Sequence, residues 1–492
     1  MLTILIFIPI FGALIIPLLR NQPQYIKLWA LIITGFELLI SILMLINFDL
    51  SKSGYQFVEN YDWIPSLGIS YHLGVDGLSL PLVFLTTLLF ICAVSISMSI
   101  KTRVAEYFFW FLILETSVLG VFVSLDLVLF FIFWELELIP MYFIISVWGS
   151  GRKEYSAMKF VIYTLFGSAF MLVGLLITGL SVGSFNIQEL SQITLTNDNM
   201  IISPIYLFLM FFVAFAIKLP SWPLHSWLPD AHTDAPTAGS VILAGVLIKM
   251  GGYGIIRICV QIFQHEAREL SLLLVLLGAF SLIYGAIITF RQTDIKKLIA
   301  FSSVSHMGIV LLGISAYKSD NIEVASFGLE GAALQMFTHG TITGLLFLSI
   351  GLIYDRLHTR EISELNGIVY KAPGISLFFV IASMASLGLP GLSGFVAEVT
   401  VFMAAFAVWN WFTVISVFSI VLTAGYMLWL VQRVIFGDYL RDEEKLTKLS
   451  FYEYAPALLL VASIIVLGVY PNIIFEFFEQ SIIAFVNSTI GV

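Results

Sequence analysis

The chain has 492 residues, of which 59% are hydrophobic, 15% aromatic and only 11% charged, with a net charge of −9. Soluble chains carry about 25% charged residues, so there are too few charges here to coat several soluble globules. A soluble enzyme, a secreted disulfide scaffold and a basic nucleic-acid-binding face are excluded.

Apolar runs of about 18 residues or more recur from end to end, and each predicts a membrane-spanning helix. The fold class expected is an all-α polytopic membrane protein with fourteen spans, over 2–19, 26–47, 77–100, 107–124, 126–148, 155–182, 203–228, 236–261, 271–290, 297–315, 325–354, 373–407, 409–436 and 453–485. The first span has no basic residue ahead of it and Arg20 directly behind it, which predicts an uncleaved helix with its N-terminus outside. One set of loops, including Arg441 and Lys445, carries 17 Lys and Arg residues; the other carries only Lys52, Arg257, Arg268 and Lys318. That bias predicts an even number of spans with both termini on the periplasmic or lumenal side.

Two spans are interrupted. LeuProSerTrpPro at 219–223 breaks the seventh and LeuProGlyLeuSerGly at 389–394 breaks the twelfth. Proline removes a backbone donor and glycine adds freedom, so each helix should stop there at mid-membrane depth. Freed backbone groups survive at that depth only where protein or water covers them. Interrupted helices five spans apart predict two five-helix repeats, inverted because five is odd. The expected organisation of this single membrane domain is three helices in 1–106, one repeat in 107–261, the second in 271–436 and a terminal helix in 453–485.

A charge at mid-bilayer costs about 2.5–3.5 kcal/mol or more, yet Glu135, Glu137, Lys218, Lys249, His306, His339 and Glu398 all fall inside predicted spans. Each has a plain alternative: Lys218 as a cap on carbonyls freed by the break, Lys249 and Glu135 as members of static pairs, the histidines as hydrogen-bonded packing. Glu37 and Glu115 read as lone acids with packing or subunit-contact roles, and Trp134, Trp222 and Trp227 as packing or interfacial residues. Two residues apart on a helix means about 200° of rotation, so Glu135 and Glu137 are not expected to share a partner. Glu135 is the expected partner of Lys218, and the role of Glu137 stays open. At about 4 Å and an effective dielectric of about 20 such a pair interacts by roughly 4 kcal/mol, about a thousandfold in proton affinity. Opening or closing the pair thus loads or discharges the lysine. Lys249 is expected to take the proton next, with His306 or His339 relaying it and Glu398 passing it on. Cys92 and Cys259 lie far apart in apolar segments with no CxxC, and no strand–GxGxxG–helix pattern exists. No redox cofactor, metal or nucleotide site of the chain's own is expected.

Longer motifs carry a family resemblance. TrpLeuProAspAlaHis at 227–232, LysLeuIleAlaPheSerSerValSerHisMetGly at 297–308, PheTrpGlu at 133–135 with IleProMetTyr at 139–142, and Lys218 with its LeuPro occur in order. Over about 70–440 the chain resembles the antiporter-like membrane subunits of respiratory complex I. With Glu398 in the second half of span 12, where other types have lysine, it is most similar to the M type, also called chain 4. The resemblance implies a fourteen-helix bundle and a proton channel built from Glu135, Lys218, Lys249, His306, His339 and Glu398. It further implies NAD(P)H or ferredoxin, flavin, iron–sulfur clusters and quinone in partner subunits, sister chains of the L and N types alongside, surrounding lipid, and a bacterial plasma membrane or a thylakoid. The alternatives are a Mrp-type cation/proton antiporter subunit, a membrane-bound hydrogenase or formate-oxidising complex, and, from another class, a structural scaffold.

Overall fold

The computed structural model describes residues 1–437 and 448–490; Arg441 and Lys445 of the basic loops lie outside the described residues. Among the described residues, 12 helices are long and apolar enough to cross a membrane, and the apolar helices Pro204–Lys218 and Pro373–Ser386 are shorter. These two are the first halves of the interrupted seventh and twelfth spans. Between their ends and breaks these helices pair their own backbone groups, the condition for crossing a bilayer.

Local chemistry sets the ends. Pro23, Pro204 and Pro373 each open a helix, where their missing N–H is no loss. Asp126 caps the fifth span, accepting from Val128 N and Leu129 N at 2.8 and 3.2 Å. Asp294 caps the tenth in the same way, accepting from Lys296 N and Lys297 N at 2.8 and 3.1 Å. Each cap also forms a lone antiparallel bridge to the chain just after the following span, Asp126 to Asn186 and Asp294 to Glu361. One local device thus recurs five spans apart.

The centre of the bundle is made by helices that are apolar all round. The most apolar windows of Thr237–Val260 and Ile322–Leu357 are fully buried, whereas those of Leu2–Leu19, Pro23–Asn47 and Lys153–Val182 bury 39%. The outer helices turn side chains such as Phe11, Leu18, Leu180 and Phe418 outward.

Four features depart from the predicted spans. Between the second and third spans, where no element is predicted, Gln56–Ile64 and Ile69–Val75 form an antiparallel hairpin, its turn closed by Gly68 at φ +69°. Its polar strands hide the period-2 signal beside such apolar neighbours. The fifth span is interrupted at Glu137. The second half of span 12 runs on into span 13 as Ser393–Val434, kinked at Trp409. The last predicted span is two helices, Phe451–Val469 and Asn472–Ile490, parted at Tyr470–Pro471 because proline cannot continue the ladder.

Candidate proton-relay site

Span 5 supplies the first carboxylates. Pro140 has no N–H to give the carbonyl of Leu136, so the helix ladder fails around Glu137. Glu137 is wholly buried, and its carboxylate forms an ion pair with the ammonium of Lys218. Glu135 is partly buried and lies within electrostatic reach of the same ammonium. Lys218 therefore meets both carboxylates, its expected partner Glu135 within electrostatic reach and Glu137 in direct contact, and the expectation that the two could not share a partner is corrected. Glu137 keeps helical dihedrals, φ −65° and ψ −25°, so it is the reach of long side chains, and not a turn of the backbone, that brings both carboxylates to one ammonium.

Lys218 is the last residue of its helix, with its ammonium 5.6 Å from the Trp134 ring centre and 5.1 Å from that of Phe160. Other groups serve the carbonyls that the break releases. Trp227 Nε1 donates to Ile217 O at 2.9 Å, and Ser221 donates to Ala216 O from its N–H at 3.0 Å and its hydroxyl at 3.1 Å. The backbone N–H of Trp222 reaches Ser281 Oγ at 2.9 Å. Lys218 is thus left for the carboxylates rather than spent on the broken backbone.

Span 8 crosses span 7 at this point because Gly251 has no side chain. A Cβ there would sit 2.5 Å from Leu219 N and 2.6 Å from Phe215 O. Two residues earlier comes Lys249, in a short α-helical segment between π turns at Leu243–Leu247 and Ile255–Val260, a distortion frequent at functional sites. Lys249 is fully buried. Its ammonium donates to Ala244 O and lies 2.7 Å from His339 Nδ1.

From His339 the string continues. The rings of His339 and His306 have centroids 5.4 Å apart. His306 places Nδ1 2.9 Å from Ser302 O and Nε2 3.1 Å from Ser386 O, with Glu398 Oε1 3.6 Å from Nε2. Ser386 ends the first half of span 12, so His306 serves a carbonyl released by the second break. A cavity of about 10 Å³ lies among His306, Gln335, Thr338, His339, Ser386 and Glu398, close to the minimum that holds one water. Gln335 Oε1, Thr338 Oγ1 and His339 Nε2 on its wall have no protein partner.

Lys249, His339, His306 and Glu398 therefore form one string across spans 8, 11, 10 and 12, while Lys218 stands with Glu137 and Glu135 where spans 7 and 8 cross. Glu37 and Glu115 are not lone acids: both are fully buried and interact with each other. Two further groups escaped the sequence reading. His232 is fully buried, stacked on Phe347 at 4.9 Å, with both nitrogens unpartnered. Lys296 is buried against Ala235 O at 2.7 Å. It borders a cavity of about 180 Å³ shared with Trp148, Asp355 and Arg360. His232 was in plain view within TrpLeuProAspAlaHis. Among the described residues, no three His, Cys, Asp or Glu cluster to hold a metal ion.

A family described as "NADH:quinone oxidoreductase/Mrp antiporter, TM" matches residues 124–423. NADH-quinone oxidoreductase subunit M of Rhodobacter capsulatus is 40% identical over 504 aligned residues, covering 98% of this chain and 95% of that protein. The chain belongs to the subunit M (chain 4) family of antiporter-like membrane subunits. Among solved structures, a chain of respiratory complex I from Thermus thermophilus with bound NADH superposes with a TM-score of 0.89 at 26% identity, over 99% of this chain and all of that one. A chain of the Mrp complex from Dietzia superposes almost as well, with a TM-score of 0.87 at 20% identity over 100% of this chain and 98% of that one. The fold is thus common to both assemblies. It is the subunit M relative that separates this chain from the Mrp alternative.

Proposed function

We propose that this subunit M family member moves protons across the membrane along Glu135/Glu137–Lys218–Lys249–His339–His306–Glu398, as part of a NADH- or NAD(P)H-quinone oxidoreductase. Electron transfer, with flavin, iron–sulfur clusters and quinone, belongs to other subunits, and sister L- and N-type chains pack laterally on the apolar outer helices. The host is a bacterial plasma membrane or a thylakoid, with both termini on the periplasmic or lumenal side. The recurring caps at Asp126 and Asp294 support two inverted copies, spans 4–8 and 9–13, each with its own break.

The observation that carries this reading is the Lys249–His339–His306–Glu398 string, with separations of 2.7 Å at its start and 3.6 Å at its end. Every member can take up and give back a proton. The Lys249 ammonium donates to His339 Nδ1; transfer leaves a neutral amine and a ring protonated on both nitrogens. His306 faces two carbonyl acceptors, and only a doubly protonated ring can donate to both. That ring holds the proton until the Glu398 carboxylate takes it. Upstream, parting Lys218 from Glu137 changes the charge where spans 7 and 8 cross at Gly251, which is how a distant signal would start the transfer. His232 extends the line from Lys249 toward Lys296. An inert scaffold has no reason to keep so many buried ionisable groups.

The test replaces Lys218 with alanine and follows assembly and proton pumping in membrane vesicles. The expected result is an assembled complex with reduced pumping and slowed coupled electron transfer. Pumping at the native rate would remove Lys218 from the route, and failed assembly would make it structural.

A further inference from the structure

Spans 3 and 8 meet, at the hairpin end of the molecule, in a buried ion pair that the proton line does not use. Arg257 Nη2 lies 2.7 Å from Asp76 Oδ1. The two residues are 2% and 7% exposed. The rest of the guanidinium is held as firmly: Nε donates to Tyr253 Oη at 3.1 Å, and Nη1 donates to Tyr55 Oη at 2.8 Å and Gln261 Oε1 at 2.9 Å. Asp76 is pinned too, because Oδ1 also accepts from Leu78 N at 3.2 Å and Ser79 N at 3.0 Å at the start of span 3. The ring centres of Tyr55 and Tyr253 each lie 5.2 Å from the guanidinium carbon.

Outside this pair is a cavity of about 760 Å³, whose polar wall includes Tyr55, Asp76, Gln188, Gln261 and Gln264. Its lining reaches Arg257 and includes neither Tyr253 nor Lys249. Those two residues come next along the same helix. Lys249 and Tyr253 are four apart in an α-helical segment and so share a face, and Tyr253 touches Arg257 directly. The guanidinium thus stands between a roomy vestibule and Lys249.

The geometry points to Arg257 as a proton stop: it closes the hairpin end of span 8, so that a proton on Lys249 leaves through His339 and not into the 760 Å³ cavity. The assignment rests on reading Lys249 as a proton carrier. The chemistry is specific to arginine. Lysine, histidine and carboxylates exchange protons, whereas a guanidinium in a protein stays protonated, so a chain of hops ends at it. The Tyr253 hydroxyl is committed as well, since it donates its single proton to Phe122 O at 3.1 Å. Fixed arginines serve the same exclusion in water-conducting pores.

The test uses the whole complex in liposomes with no electron donor, following the decay of an imposed pH step. Arg257→Lys keeps a cation against Asp76 and Arg257→His keeps a polar ring; both replacements can exchange a proton. Each is expected to discharge the gradient several-fold faster than the native complex, and adding Lys249→Ala is expected to abolish that leak. Native gradient retention in both assembled variants would overturn the assignment. So would a leak that persists with Lys249→Ala, which would mean loosened packing. If neither variant assembles, the pair is a brace and the assignment also falls. Failure of the pumping route itself would show elsewhere, as native pumping by Lys218→Ala during turnover, which a passive leak does not measure.

Discussion

The two broken helices solve one problem in opposite ways. At the first break, between Lys218 and Trp227, Leu219, Pro220 and Ser221 are buried and Pro223 is exposed, and an indole and a serine serve the freed carbonyls. The charge beside it is already paired, Lys218 with Glu137. At the second break, between Ser386 and Ser393, Leu389, Pro390 and Gly391 are exposed. There a titratable ring, His306, serves the freed carbonyl, with Glu398 as its neighbour. The first break is covered over 219–221 and sits beside a paired charge; the second is exposed over 389–391 and gives its backbone to a titratable side chain. On the proposed reading, the first break suits holding a charge and the second suits passing a proton on.

The sharpest way to break this contrast is at Glu137. Removing one partner of a buried ion pair leaves an uncompensated charge and costs about 3–5 kcal/mol. Glu137→Gln is therefore expected to lower the thermal stability of the assembled complex and its pumping more than Glu135→Gln, whose side chain is only partly buried. Stability and pumping per assembled complex should be measured for both. Equal effects would return Lys218 to Glu135 and dissolve the contrast between a paired charge at the first break and a titratable ring at the second.

How much of this could be read in the sequence follows the range of the cause. The breaks at 219–223 and 389–394 were legible because proline and glycine act on their own neighbours. The buried positions of Lys249 and Glu398 were legible because an apolar run long enough to span the bilayer carries any charge within it to membrane depth. The contact of Glu137 with Lys218 was not, because a rotation argument places Cβ atoms and not the ends of long side chains. The meeting of His306 with Glu398 was not legible either, since it depends on how spans 10 and 12 turn toward each other. Arg257 counted only as one of four basic residues on its side; its role depends on Asp76, 181 residues away.

A smaller effect separates the breaks sterically. Gly251→Ala would drive a Cβ to 2.5 Å from the backbone of Leu219. Overpacking of this kind typically costs about 1–3 kcal/mol, and here it would push spans 7 and 8 apart. Gly391→Ala at the second break meets nothing within 4 Å; its φ of +91° leaves only left-handed strain, about 1 kcal/mol. Assembly yield and melting of the two variants should rank in that order. A Gly391→Ala variant as damaged as Gly251→Ala would mean that the second break is packed as tightly as the first.

The smallest structural change tests the contrast most directly, because it removes the same kind of bond from each break. Trp227→Phe takes away the indole N–H that serves Ile217 O, and His306→Phe takes away the ring nitrogen that serves Ser386 O. A buried acceptor left unserved costs about 1–3 kcal/mol in either place, so the two variants should lose similar stability. Pumping should not follow stability. The indole only donates, so Trp227→Phe is expected to pump at the native rate per assembled complex, whereas His306→Phe cuts the string between His339 and Glu398 and is expected to pump slowly. If both variants pumped alike, His306 would be a carbonyl cap like Trp227, and the proton would have to reach Glu398 by way of the Gln335 and Thr338 wall of the 10 Å³ cavity.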